Sequence, residues 1–148
     1  MEKNKIISEF KTIFLKRTPC YGRCPVYEVK INSDGNVFYK GEMFVEKVGP
    51  HFWKIDTESI NALNAAINKY EYFSIKAKEH SMPASCCPSC ITSICLEDGT
   101  NRNINNEYGG DKYPKKLRKF ERQIDKIIGI DIYIGKTLRL KTVCHEQE

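Results

Sequence analysis

The sequence has no long apolar run. Its N-terminal stretch, MEKNKIISEFKTIFLKRT, breaks every apolar cluster with charge. It therefore offers neither the apolar segment of a secretory signal nor anything near the ~18 consecutive apolar residues that a membrane span needs. No internal repeat, low-complexity tract or dividing linker is present, which leaves a single domain as the simplest organisation. No phosphate-cradling glycine loop, Ser-His-Asp pattern or paired general acid and base stands out, so the usual grounds for assigning an enzyme are missing. These absences lead to an expectation of no membrane association and a cytoplasmic location, where thiols stay reduced. A secreted chain trimmed of its signal would read the same way.

What is present suits a packed globule. The 148 residues fall within the size of one domain, large enough to bury roughly two thirds of the unfolded surface in a single core. Eight Tyr and seven Phe argue against disorder. A net charge of +5 is compatible with acidic partners, yet it is mild for a dedicated nucleic-acid binder. The domain is expected to span 1–148, with a core of about 9–134 and a tail at 135–148 that either adds a strand or frays.

Periodicity supplies the elements. FKTIFLKR and PVYEVKI alternate apolar and polar residues and read as strands, with Phe10, Thr12 and Phe14 facing away from Ile13 and Leu15. Asp34-Gly35 marks a hairpin, because a tight turn needs the positive φ that glycine tolerates. VFYKGEMFVEKV returns as one or two strands bending near Gly41, and HFWKI adds another. Asp56 caps a helix carrying Ile60, Leu63, Ala66, Ile67 and Tyr70 at helical spacing. Residues 73–88 show no period and read as a long loop, a kind of segment often given to function. A second hairpin turns at Asp98-Gly99. Pro114 then opens a second helix with Leu117, Phe120, Ile124, Ile127 and Ile128 on one face, ended by Gly129. The fold class expected is α+β: an antiparallel sheet of about five to seven strands with two helices packed on one face.

The seven cysteines are grouped. Cys20 and Cys24 flank Tyr-Gly-Arg in a loop between two strands; Cys86, Cys87 and Cys90 lie in the CCPSC run; Cys95 and Cys144 stand apart. Two close pairs suit a structural zinc, each pair giving two thiolates to a tetrahedral ion. The expected ligands are Cys20, Cys24, Cys87 and Cys90, with Cys86 or His80 as alternates. About 62 residues separate the pairs, so only the tertiary fold could unite them. Other readings stay open. Cys20 and Cys24 could form a disulfide in an oxidising compartment, and Cys87 and Cys90 could act as a redox dithiol. Buried cysteines can also be plain apolar residues, the reading preferred for Cys95. His51 and His145 read as ordinary residues.

The run RTPCYGRCPVYEVKINSDGNVFYKGE resembles a bacterial domain family of unknown function (DUF6438-like), with the signature Cys-x-Gly-x-Cys-Pro-x-Tyr. That signature falls here on Cys20, Gly22, Cys24, Pro25 and Tyr27, followed by the Asp34-Gly35 turn. The resemblance extends more loosely to about Ile128. It implies a shared compact domain in which the first cysteine pair belongs to the design, and it implies no activity. The CCPSC cluster departs from the family pattern.

Lys115, Arg118, Lys119, Arg122 and Lys126 recur at helical spacing opposite the apolar face of the second helix. They read first as a solvated face, and otherwise as a surface for nucleic acid or an acidic partner. The stripe lacks aromatics of the kind that stack bases. Lys16, Arg17 and Arg23 flank the first cysteine loop and read as ordinary surface. The function these residues suggest is a non-catalytic, zinc-stabilised binding or interaction domain. The alternatives are a thiol redox enzyme or sensor at Cys87 and Cys90, or nucleic-acid binding through the basic helix.

Overall fold

The alternation seen in the sequence becomes one sheet. In the computed structural model, which describes residues 8–80 and 87–135, six strands form: β1 (Phe10–Arg17), β2 (Val26–Asn32), β3 (Asn36–Met43), β4 (Gly49–Lys54), β5 (Ser89–Leu96) and β6 (Asn101–Glu107). Their order is β4-β3-β2-β1-β5-β6, and every neighbouring pair is antiparallel. Two long helices, α1 (Thr57–Lys69) and α2 (Lys115–Ile128), follow β4 and β6, with a 3-10 turn at Tyr72–Ser74 and a short α3 (Asp131–Ile134). This is the expected α+β class. The long loop expected at residues 73–88 is shorter than its lack of periodicity suggests, because Tyr72–Ser74 folds into that turn; the part at 81–86 lies outside the described residues, as does the expected tail strand from 136 onward.

One sheet face is buried beneath the helices. Ile13, Leu15, Val29, Ile31, Val37, Ile94 and Ile104 supply it from five strands, and Leu63, Ile67, Leu117, Phe120, Ile124 and Ile128 meet them from α1 and α2. Simple alternation fails at two points. Phe10 was expected on the face of Phe14, yet it is fully buried. An irregularity between Phe10 and Thr12 inserts one residue opposite β5, where Phe10 pairs with Leu96 and Thr12 with Cys95. An extra residue reverses the facing of everything on one side of it. A second irregularity, between Val26 and Tyr27, lets both of those residues bury.

Local chemistry sets the helix ends. The Asp56 carboxylate accepts the Ser59 N–H at 2.9 Å, satisfying a first-turn donor, and that bond holds its carboxyl below the ordinary range. Gly129 closes α2 at φ +77. Side-chain bonds then moor the helices. Asn64 Oδ1 accepts from the Phe10 amide at 2.9 Å, and the Trp53 indole donates to the Ile128 carbonyl at 3.1 Å while stacking on Tyr133.

Gly41, suspected as a bend, lies inside β3 and is needed for a different reason. A methyl group there would overlap the Lys47 carbonyl, the Tyr39 hydroxyl and the Val45 side chain, and the Tyr39 hydroxyl donates to that same carbonyl at 2.9 Å. Gly41→Ala is therefore expected to destabilise the fold by about 1–3 kcal/mol, the cost of overpacking. Chemical denaturation checks this, with Gly49→Ala as a comparison in which the added methyl meets open space but the positive φ is strained.

Candidate functional site

Antiparallel register brings the two cysteine segments to the same end of the sheet. Arg17, the last residue of β1, lies opposite Tyr27 on one side and Cys90 on the other, and Cys90 lies opposite Asn106. Thr18 fastens the loops beyond them: its amide donates to the Ser89 carbonyl at 3.1 Å, and its hydroxyl accepts from the Ser89 amide at 2.8 Å. Directly opposite residues share a face. Tyr27, Arg17, Cys90 and Asn106 thus form a row under α2.

The cysteines divide differently from the zinc expectation. Cys20 and Cys24 are bonded to each other in a disulfide, and Cys87 is disulfide-bonded as well. A sulfur in a disulfide carries no thiolate to donate, so the predicted set of Cys20, Cys24, Cys87 and Cys90 is not assembled in this form of the chain. Cys90 is a free thiol turned into the core. His80 is exposed in the loop, and Cys86 lies outside the described residues, as do Cys144 and His145. Among the described residues no three His, Cys, Asp or Glu side chains gather at a common centre. Cys95 is a half-exposed thiol on the opposite face of β5, and His51 sits against the rings of Tyr39 and Tyr133.

What occupies the shared end is a buried charged network. Arg17, expected at the surface, points inward and bonds to three elements. Its Nε donates to the Tyr27 hydroxyl at 3.1 Å, Nη1 to the Tyr108 hydroxyl at 2.5 Å and Nη2 to Asp125 Oδ2 at 2.7 Å. The Tyr108 hydroxyl in turn donates to Glu121 at 2.6 Å, and the Asn106 amide donates to both Glu121 oxygens. Asp125 Oδ1 is buried without a hydrogen-bond partner among the described residues. Arg118 covers the outer side of Tyr108, its guanidinium 3.9 Å from the ring centre and its Nη2 donating to the Tyr108 carbonyl at 3.1 Å.

Burial controls the protonation of these groups. It opposes the charge on Arg17, but Asp125 and then Tyr108 outweigh it, so the guanidinium is held above its ordinary range. Burial, reinforced by Asp125, pushes the Tyr27 hydroxyl up; burial, reinforced by Glu121, pushes the Cys90 thiol up. A thiol held in that state is a poor nucleophile. Burial also raises Glu121 to about 7, with Arg17, Tyr108 and Asn106 opposing it.

A family model for a domain of unknown function, DUF6438, matches residues 11–128. The chain belongs to that family. No curated protein matches the sequence. The matched span runs from β1 to the end of α2, and so contains every member of the Arg17 network. No helix among the described residues is long and apolar enough to cross a membrane.

The sequence reading missed Glu121 and Asp125, although a signal was there. They occur four residues apart on the face of α2 that also carries Leu117, Phe120, Ile124 and Ile128, and both are buried. Two carboxylates on an apolar helical stripe require a buried partner. The basic stripe also needs revision. Lys115, Lys119 and Lys126 are exposed, whereas Arg118 is spent on Tyr108 and Arg122 is half-buried with interactions of its own.

Two outcomes follow. Arg17→Met leaves Asp125 buried and unpaired and should cost about 3–5 kcal/mol in denaturant unfolding, whereas Arg17→Met with Asp125→Leu should recover most of that loss. Glu121 keeps its proton to about pH 7 in the folded chain, against the 4.5 of an unperturbed side chain. Between those values the folded state holds the extra proton, so this contribution is full below about pH 4.5 and is lost as pH rises to 7. Relative to wild type, Glu121→Gln should gain up to about 3 kcal/mol across that window, read from paired melts at pH 4.5 and 8.

Proposed function

We propose that this is a non-catalytic binding domain that matures in an oxidising compartment, the Cys20–Cys24 disulfide clasping the loop beside the Arg17 network. The observation that carries the reading is the complete enclosure of the reactive groups. Cys90 and Glu121 are both 0% exposed. Arg17 is committed to Tyr27, Tyr108 and Asp125, and Tyr108 lies between two guanidinium groups. A cluster with such perturbed protonation could do acid–base work if substrate reached it. Sealed beneath α2, it instead locks α2 to the ends of β1, β2 and β6. The disulfide supports the compartment assignment, since such bonds persist where thiols are not kept reduced.

Thiol titration and metal analysis of the purified chain test this together. Protein isolated without reductant should keep Cys20 and Cys24 oxidised and carry no stoichiometric zinc. Replacing both by Ser should cost about 2 kcal/mol for so short a loop, a fall of roughly 4–8 °C in melting temperature. Reduced protein holding about one zinc per chain would overturn the disulfide reading in favour of the tetrathiolate. Rapid alkylation of Cys90 in the native protein would overturn the non-catalytic reading in favour of thiol chemistry.

A further inference from the structure

Two features of the sequence meet at a cavity that shares no residue with the Arg17 network. They are the aperiodic segment that begins at residue 73 and the basic opening of α2. Residues 74–78 form one wall and residues 111–116 the other, around a volume of about 590 Å³. That is within the size of small-molecule sites. The walls are tied together, the Lys78 amide donating to the Lys112 carbonyl at 2.8 Å. Ile75 turns into the core and anchors the first wall.

The charge of the cavity is one-sided. Lys76, Lys78, Lys112, Lys115 and Lys116 line it, against a single carboxylate, Asp111. Asp111 pairs with Lys78 at 3.0 Å, and Lys116 pairs at 2.5 Å with Glu71, which lies outside the lining. Glu79, next to Lys78 in the chain, is exposed and also outside it. Lys76, Lys112 and Lys115 keep their charges without an ion-pair partner among the described residues. On a convex surface such charges are screened by water and salt, whereas concave walls focus the field inward and concentrate anions. No arginine is among the described lining residues, so the flat fork that grips a carboxylate in two parallel bonds is missing. Ammonium groups act as point charges, and they suit the tetrahedral oxyanions of phosphate and sulfate.

Resting on the binding-domain reading above, we propose that this cavity binds a small ligand carrying at least two phosphate or sulfate groups, held chiefly by Lys76, Lys112 and Lys115. Two such groups carry about two to four negative charges near neutral pH, which matches the three unpaired cations. Asp111 sets the limit on affinity, because it places a negative charge in the same lining and engages Lys78.

Isothermal titration calorimetry on the full chain at low salt tests this. The probes are pyrophosphate, inositol hexakisphosphate and inositol hexasulfate, with inorganic phosphate as the single-group comparison. The multivalent anions should bind at one per chain, roughly tenfold or more tighter than inorganic phosphate. A preference between the hexakisphosphate and the hexasulfate identifies which chemistry the natural ligand carries. Replacing Lys76, Lys112 and Lys115 together by Ala should weaken binding roughly tenfold, the sum of three solvent-screened attractions. Asp111→Asn should tighten it several-fold. Replacing Lys30, Lys40 and Lys54 by Ala removes the same net charge from exposed strand positions and should leave it unchanged. The substituted side chains are exposed, so unchanged melting temperatures will show that the variants are folded. No binding of any probe, equal binding by the cavity variant, equal loss in the strand variant, or several anions per chain would each overturn the site while leaving a binding domain. Release of inorganic phosphate from pyrophosphate would instead keep the site and overturn the non-catalytic reading.

Discussion

One guanidinium organises this fold. Arg17 ends β1, and its donors reach Tyr27 of β2, Tyr108 just beyond β6 and Asp125 of α2. A buried charge is tolerable only when its partners are placed correctly. The pairing of β1 with β2 and the seating of α2 on the sheet are therefore conditions for one another. The apolar core would accept small shifts of α2, since hydrophobic contact has no fixed direction. The ion pair with Asp125 restricts α2 to one position along the strand ends.

Much of this was legible in the residues, and the exceptions have causes. Alternating strands, the Asp56 cap, the two Asp-Gly turns and the Pro114–Gly129 limits of α2 depend on local physics, and local sequence contains it. Arg17 could not be placed the same way. In the run KRTPC it looks like any charged residue near a loop, and its partner Asp125 is 108 residues away. The inserted residue that buries Phe10 is set by pairing with β5, which β1 alone does not encode. The spacing of Cys20 and Cys24 brings two sulfurs together without saying whether they bind a metal or each other, and here they bind each other.

The two faces of the sheet have opposite characters. Under the helices lie the ion pair, the raised thiol and the carboxyl that burial holds above its ordinary range. On the uncovered side lie lysines, asparagines and phenylalanines with access to solvent. Perturbed protonation usually directs attention to the first kind of place. In this molecule the more available chemistry is on the second, where phenylalanine rings and lysines are in reach of solvent.

The position of β1 in the middle of the sheet has a bearing on assembly. Strands β1 to β4 form a meander whose neighbours in the chain are neighbours in space, so the N-terminal half can organise as it is synthesised. The seam between β1 and β5 must wait for residues 89–96, and closing so long a loop is entropically slow. Until then β1 is the edge strand of a half-built sheet, with the side that will meet β5 unpaired, the kind of edge that invites pairing with another molecule. The nascent chain is thus most vulnerable to misassembly between the completion of its first hairpins and the arrival of its fifth strand.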